Sequence, residues 1–138
     1  MVDIDAQDFL LRGWALYYQP ASPPVRQAAL QAFERALELD PQSIDGRIGI
    51  GTVLADDLVL SFSNSRERDI VRADQVLSEA LERELNRSMA HFAMGVLRRV
   101  QNRLSDSKIE LETAIALDRN NARALQQLGL TLMWLGQP

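Results

Sequence analysis

The chain has 138 residues, 46% hydrophobic and 25% charged, close to the averages for a single globular domain. Its 19 acidic and 15 basic residues leave a formal charge of −4, which argues against a nucleic-acid binder, because neutralising phosphates takes a basic face. The absence of cysteine excludes disulfides, thiolate metal sites and cysteine nucleophiles together.

The opening stretch, MVDIDAQDFLLRGW, is acidic before it is apolar and so does not read as a secretory signal. No apolar run approaches the ~18–20 residues of a membrane span, and a cytoplasmic location is expected. Phe9, Gly13 and Leu16 sit at helical spacing. YYQPASPPV, from Tyr17 to Val25, then breaks the helix, since its three prolines force an extended loop. A proline-rich ligand for a recognition domain is the weaker reading of that loop. Next, ALQAFERALELDPQ carries Leu30, Phe33 and Leu37 at helical spacing beside Ala29, Ala32 and Ala36, and Asp40-Pro41 stops it. A helix of this kind cannot bury its own apolar stripe and needs partners.

Those partners recur along the chain. Gly95 and Gly129 stand 34 positions apart, as do Ala80 and Ala114, and Leu77 and Leu111. Gly51 to Gly95, Ala36 to Ala80 and Phe33 to Leu77 are each 44 apart, an insertion of about ten on the same period. Three markers moving in step identify a repeat with insertions.

A 34-residue helix-turn-helix unit with Gly in the first helix, Ala in the second and a closing Pro resembles the tetratricopeptide repeat. The resemblance places Phe9, Gly13 and Leu16, then Ala29, Phe33, Ala36 and Pro41, in unit one. Unit two has Ile50, Gly51 and Leu54, then Ala73, Leu77 and Ala80. Unit three has Phe92, Met94 and Gly95, then Leu111 and Ala114. A final first helix carries Leu125, Leu128, Gly129 and Leu132. It implies an all-α solenoid of antiparallel helix pairs, right-handed, with units over about residues 6–43, 44–87 and 88–121 and a last helix over 122–136. Leu85 and Arg119 replace the closing Pro in units two and three.

The longer insertion, TVLADDLVLSFSNSRERDIVR, predicts two lengthened helices meeting near SFSNS, with an apolar tip of Leu58, Val59, Leu60 and Phe62. A long hairpin of this kind normally buries such residues against itself. In overall pattern it resembles the tetratricopeptide regions of bacterial class III adenylate/guanylate cyclases and of winged-helix regulators. That likeness implies a sensory or coupling segment of a larger signalling protein. Lys108 is the single lysine, and an arginine-rich basic set fits a GC-rich bacterial genome. The end, LGLTLMWLGQP, leaves Leu130, Met133 and Trp134 without a following helix. They are expected to meet further chain or a partner, including a second copy, which the long hairpin could also meet.

Catalysis finds little material, and neither a catalytic residue, a cofactor nor a metal is expected. His91 is the only histidine and reads as structural. Asp56 and Asp57 are adjacent, point ~100° apart on a helix, and read as a solvated face. Arg98, Arg99 and Arg103 read as a solvated face or turn near a helix end. No phosphate loop or metalloprotease helix appears.

In the resembled family the first helices line a concave face that often holds peptides. Carried over by position, that face has Leu10, Trp14 and Tyr17, then Asp45, Ile48, Thr52 and Asp56. Met89, Phe92, Val96 and Arg99 follow, then Arg123, Gln127, Leu130 and Trp134. One subset of the family clamps chaperone C-termini with lysines, arginines and asparagines. The matching slots here hold Leu10, Trp14, Gly49, Met89 and Ala93, so chaperone tails are not expected. Aromatic anchors at Trp14, Tyr17 and Phe92 suit an apolar helix or peptide. The competing reading is that several of these residues pack between neighbouring first helices. A non-catalytic module binding a protein or peptide is expected, with no nucleic-acid or membrane partner.

Overall fold

A computed structural model describes residues 2–137, with side chains from residue 5 onward. Seven helices follow one another with short connections: α1 (Val2–Tyr17), α2 (Pro23–Leu39), α3 (Ile44–Leu60), α4 (Arg66–Arg83), α5 (Ser88–Val100), α6 (Leu104–Leu117) and α7 (Ala122–Trp134). No strand occurs among the described residues. α1 packs on α2, α3 on α4 and α5 on α6, as short connections require of antiparallel neighbours. α3 joins its pair to the first by packing on α2 and to the third by packing on α5, and α7 lies on α6. This is the all-helical solenoid that the tetratricopeptide resemblance implies. None of the helices is long and apolar enough to cross a membrane.

Local signals fix the helix ends. Ser22 caps α2 by accepting the Val25 N–H, and Pro23 and Pro24 occupy the first helical positions, where a missing N–H costs nothing. The proline stretch is therefore shorter as a loop than the sequence reading has it: its last two prolines begin α2. Ser43 caps α3 through the Gly46 N–H at 2.9 Å, and Asn121 caps α7 through the Ala124 N–H at 3.0 Å. The lengthened hairpin is present, with its turn at 61–65. Ser61 adopts the left-handed conformation (φ 63°) to end α3. At the tip Leu58 is buried, whereas Val59 and Leu60 are exposed.

The core is built from side chains seated on glycines. A Cβ on Gly13 would lie 2.6 Å from the Phe33 ring, and one on Gly95 would lie 2.6 Å from Leu111. Gly51 is covered in the same way by Leu77, and Gly49 of α3 also abuts the Phe33 ring, so that this ring packs against glycines of both α1 and α3. Phe33, Leu77 and Leu111 are fully buried, as are Ala29, Ala36, Ala73, Ala80 and Ala114 beside them. Trp14 closes on Phe33 edge to face, with centroids 4.9 Å apart. Gly129, at the corresponding place on α7, has nothing within 4 Å of its would-be Cβ.

Polar contacts act both within and between the pairs. Arg47 bonds Glu79 at 2.9 Å, Arg72 bonds Glu34 at 2.8 Å and Arg98 bonds Asp74 at 3.2 Å. His91 is structural: Nδ1 faces Glu110 at 2.8 Å and Nε2 faces the Leu85 carbonyl at 2.7 Å. Ser107 donates to the Gly95 carbonyl at 2.7 Å and meets Thr131 of α7 at 3.2 Å.

Chemical denaturation of single alanine variants tests the glycine seats. Gly95→Ala forces a Cβ into the fully buried Leu111 and is expected to cost about 1–3 kcal/mol. Gly129→Ala gains helix propensity without a clash and is expected to stabilise by up to about 1 kcal/mol. Equal effects at the two positions would contradict the seating described.

Candidate binding surface

The residues expected on the concave face divide sharply. Tyr17, Ile48, Thr52 and Val96 have no exposed surface, Phe92 has 1%, and Leu10 is nearly as buried. These six pack between neighbouring helices and have no side chain to offer a ligand. The reason is local: α3 and α5 are covered on several sides at once, so even helix positions that face the concavity are sealed. Trp14, Met89, Arg99, Arg123 and Gln127 remain half-buried, with Asp45 beside them.

At the centre of this face lies a charged cluster. The Tyr17 hydroxyl donates to Asp56 Oδ2 at 2.6 Å, and Arg123 Nη1 donates to the same hydroxyl at 3.1 Å. Arg26 Nη1 lies 3.5 Å from Asp56 Oδ2 and Arg123 Nη1 lies 3.6 Å from it. The two guanidiniums stand 4.9 and 4.7 Å from the centre of the Tyr17 ring. α1, α2, α3 and α7 thus converge on one carboxylate. Burial raises the Asp56 carboxyl, while the Tyr17 hydrogen bond and the charges of Arg26 and Arg123 pull it back down. The Tyr17 phenol is raised too, first by burial and then by Asp56.

Two sequence readings are corrected here. Asp56 is buried and Asp57 half-buried, so the pair is not a solvated face: α3 is packed on several sides even near its C-terminal end. The arginine group near the end of α5 is also not uniformly solvated. Arg98 bonds Asp74 and Gln101, and Arg99 is half-buried, where burial lowers it and Asp56 raises it. Arg103 alone stays exposed, paired with Asp106. The sequence did contain a trace of the cluster, since Tyr17, Asp56, Arg99 and Arg123 all fall on the expected concave face. Arg26, on a second helix, carried no such signal.

The other surface of interest is the outer face of α7. Leu125 and Leu130 are exposed, and Met133 and Trp134 are 71% and 74% exposed. With Gly129 open between them, this helix has the face of α1, α3 and α5 without a second helix seated on it.

Removing the central carboxylate leaves the Tyr17 hydroxyl without its acceptor and two guanidiniums without their counter-charge. Asp56→Ala is expected to cost about 3–5 kcal/mol in urea titration, and a loss well below 1 kcal/mol would show the cluster to be incidental. Asp57 behaves differently. Desolvation pushes its carboxyl up to about 6 from an ordinary 3.8, against the pull of Arg26. The folded state then holds this proton more tightly than the unfolded state, so its favourable contribution is full below about pH 4 and lost as pH rises through about 6. Asp57→Asn is therefore expected to melt a few degrees above the parent at pH 7.5, with the gap closing near pH 4 in a thermal series.

No protein-family model matches the sequence, and no curated protein matches it. Among solved structures, the first tetratricopeptide domain of human RPAP3 aligns with a TM-score of 0.70 at 16% identity, covering 96% of this chain and 93% of that one. The tetratricopeptide domain of Arabidopsis OM64 aligns with a TM-score of 0.71 at 13% identity, covering 95% and 97%. The first such domain of Spaghetti (RPAP3), bound to the HSP90 peptide SRMEEVD, aligns at 0.69 with 16% identity, covering 97% and 95%. The chain has the tetratricopeptide fold over nearly its whole length.

Proposed function

We propose that this chain is a non-catalytic protein–protein interaction module working within a bacterial signalling or regulatory protein. The observation that carries the reading is α7, whose exposed Leu125, Leu130, Met133 and Trp134 flank an open glycine seat, a face for further chain or a partner to cover. Buried apolar area is what stabilises such an edge, and exposed patches of this kind mark interaction sites. Leu130, Met133 and Trp134 form the contact, and a second copy of the chain is its first candidate partner. The exposed tip of the α3–α4 hairpin offers a second contact for such a dimer.

A peptide partner is supported by a different observation. Solved tetratricopeptide domains of this shape include ones bound to HSP90 and HSP70 peptides. Here the concave face keeps Trp14, Met89, Arg99, Arg123 and Gln127 at or near the surface around the Asp56 cluster. That set suits a segment with an apolar anchor. The lengthened hairpin supports a regulatory setting in which the module couples to a linked domain such as a nucleotide cyclase, and the arginine-rich composition supports a bacterial origin.

Light scattering across a concentration series, on the parent and on a Leu130→Glu, Trp134→Glu variant, tests the α7 interface. A dimeric parent and a folded monomeric variant are expected. A parent that stays monomeric at every concentration would remove self-assembly and leave the concave face as the functional surface.

A further inference from the structure

Arg123 joins the two ends of the concave face. Among the described residues α1 and α7 do not pack on each other, and the one hydrogen bond between them runs from Arg123 Nη1 to the Tyr17 hydroxyl at 3.1 Å. The same guanidinium stands 4.7 Å from the centre of the Tyr17 ring and 5.7 Å from that of Tyr18. A cleft of about 370 Å³ opens beside it, with Tyr18, Met89, Asp118 and Asn121 in its walls.

The buried cluster does not need this bond. Asp56 carries a single charge, Arg26 already stands 3.5 Å from it, and the Tyr17 hydroxyl donates to it. Arg123 is a second cation on that carboxylate, and the half-buried Arg99 also lies close enough to feel its charge. Arg26 and Arg99 therefore oppose Arg123 while Asp56 attracts it. The Arg123 side chain is 40% exposed against 5% for Arg26, so water solvates Arg123 when it lets go and the pair of Arg26 and Asp56 stays intact. Packing does not duplicate the link. α1 and α2 reach the rest of the molecule through α3, whereas α7 rests on α6 and the edge of α5, where the Asn121 amide donates to Ser88 Oγ at 3.0 Å.

We propose that Arg123 is a releasable strap across the mouth of the concave face. Closed on Tyr17, it holds the face shut; released, it lets the α5–α7 end move away from α1 by small sliding of packed helices. The cleft between Tyr18 and Met89 then widens. A partner entering there binds more weakly than it would an open face, by the fraction of molecules in which the strap is released. That consequence rests on the peptide reading of the concave face. The strap itself does not, so its test uses no partner and its failure leaves that reading standing.

The chain has no cysteine, so Gln19→Cys after α1 and Gln126→Cys on α7, both exposed positions, each take one spin label. Double electron–electron resonance then reads the distance between the two ends, in this background and with Arg123→Ala or Arg123→Gln added. The background is expected to give one narrow distance. Both Arg123 variants are expected to give a mean longer by about 2 Å or more and a distribution about twofold broader. Arg103→Ala, which removes an exposed arginine paired with Asp106, is expected to leave the distance unchanged. Circular dichroism checks that each variant folds. Four results would each overturn the proposal. These are an unchanged distance in a folded Arg123 variant, a background distribution as broad as the variants', the same shift in Arg103→Ala, and loss of the fold in both Arg123 variants. The last would make Arg123 a fixed structural tie.

Discussion

Everything in this fold depends on one steric device, a large side chain from a second helix seated on a glycine of a first helix. Phe33 on Gly13, Leu77 on Gly51 and Leu111 on Gly95 set how closely each pair can approach. Because the knob is fully buried, its position cannot adjust, and the alanines on either side keep the helices in register around it. Gly49 extends the device across a pair boundary by accepting Phe33 from the neighbouring unit. The stack is thereby one continuous core, and α7 is the place where the device is half made.

A second constraint acts on the concave side. Asp56 is placed among helices that leave it no water, and the arrangement supplies a phenol and two guanidiniums in compensation. Arg123 gives α7 a direct bond to Tyr17 at the far end of α1, across a gap that backbone packing does not bridge. The cluster therefore links α1, α2, α3 and α7 on the inner face. It also explains why the aromatic Tyr17, which looks like a ligand anchor in the sequence, is a structural member of the fold.

Function in this architecture divides along the same lines. Groups that are satisfied internally hold the shape: His91 between Glu110 and Leu85, Ser107 between Gly95 and Thr131. Exposed apolar groups such as Met133 and Trp134 of α7 take no part in holding it.

The sequence by itself determined the helical class, the repeat period, the seven elements and the identity of the knobs, because glycine, alanine and large apolar residues recur in step and local caps end the helices. It determined the long hairpin and its turn for the same reason: a helical apolar pattern that runs on past the repeat length has to be carried by longer helices. It did not determine which concave positions are open. Ile48, Thr52, Phe92 and Val96 lie on the expected face, yet their exposure is decided by how tightly α3 and α5 are flanked. Nor could it assign Arg26 to Asp56 and Asp57, since the partners sit on different helices and the spacing between them has no periodic signature. Burial and charge pairing are properties of the assembled helices, and only the tertiary structure decided them.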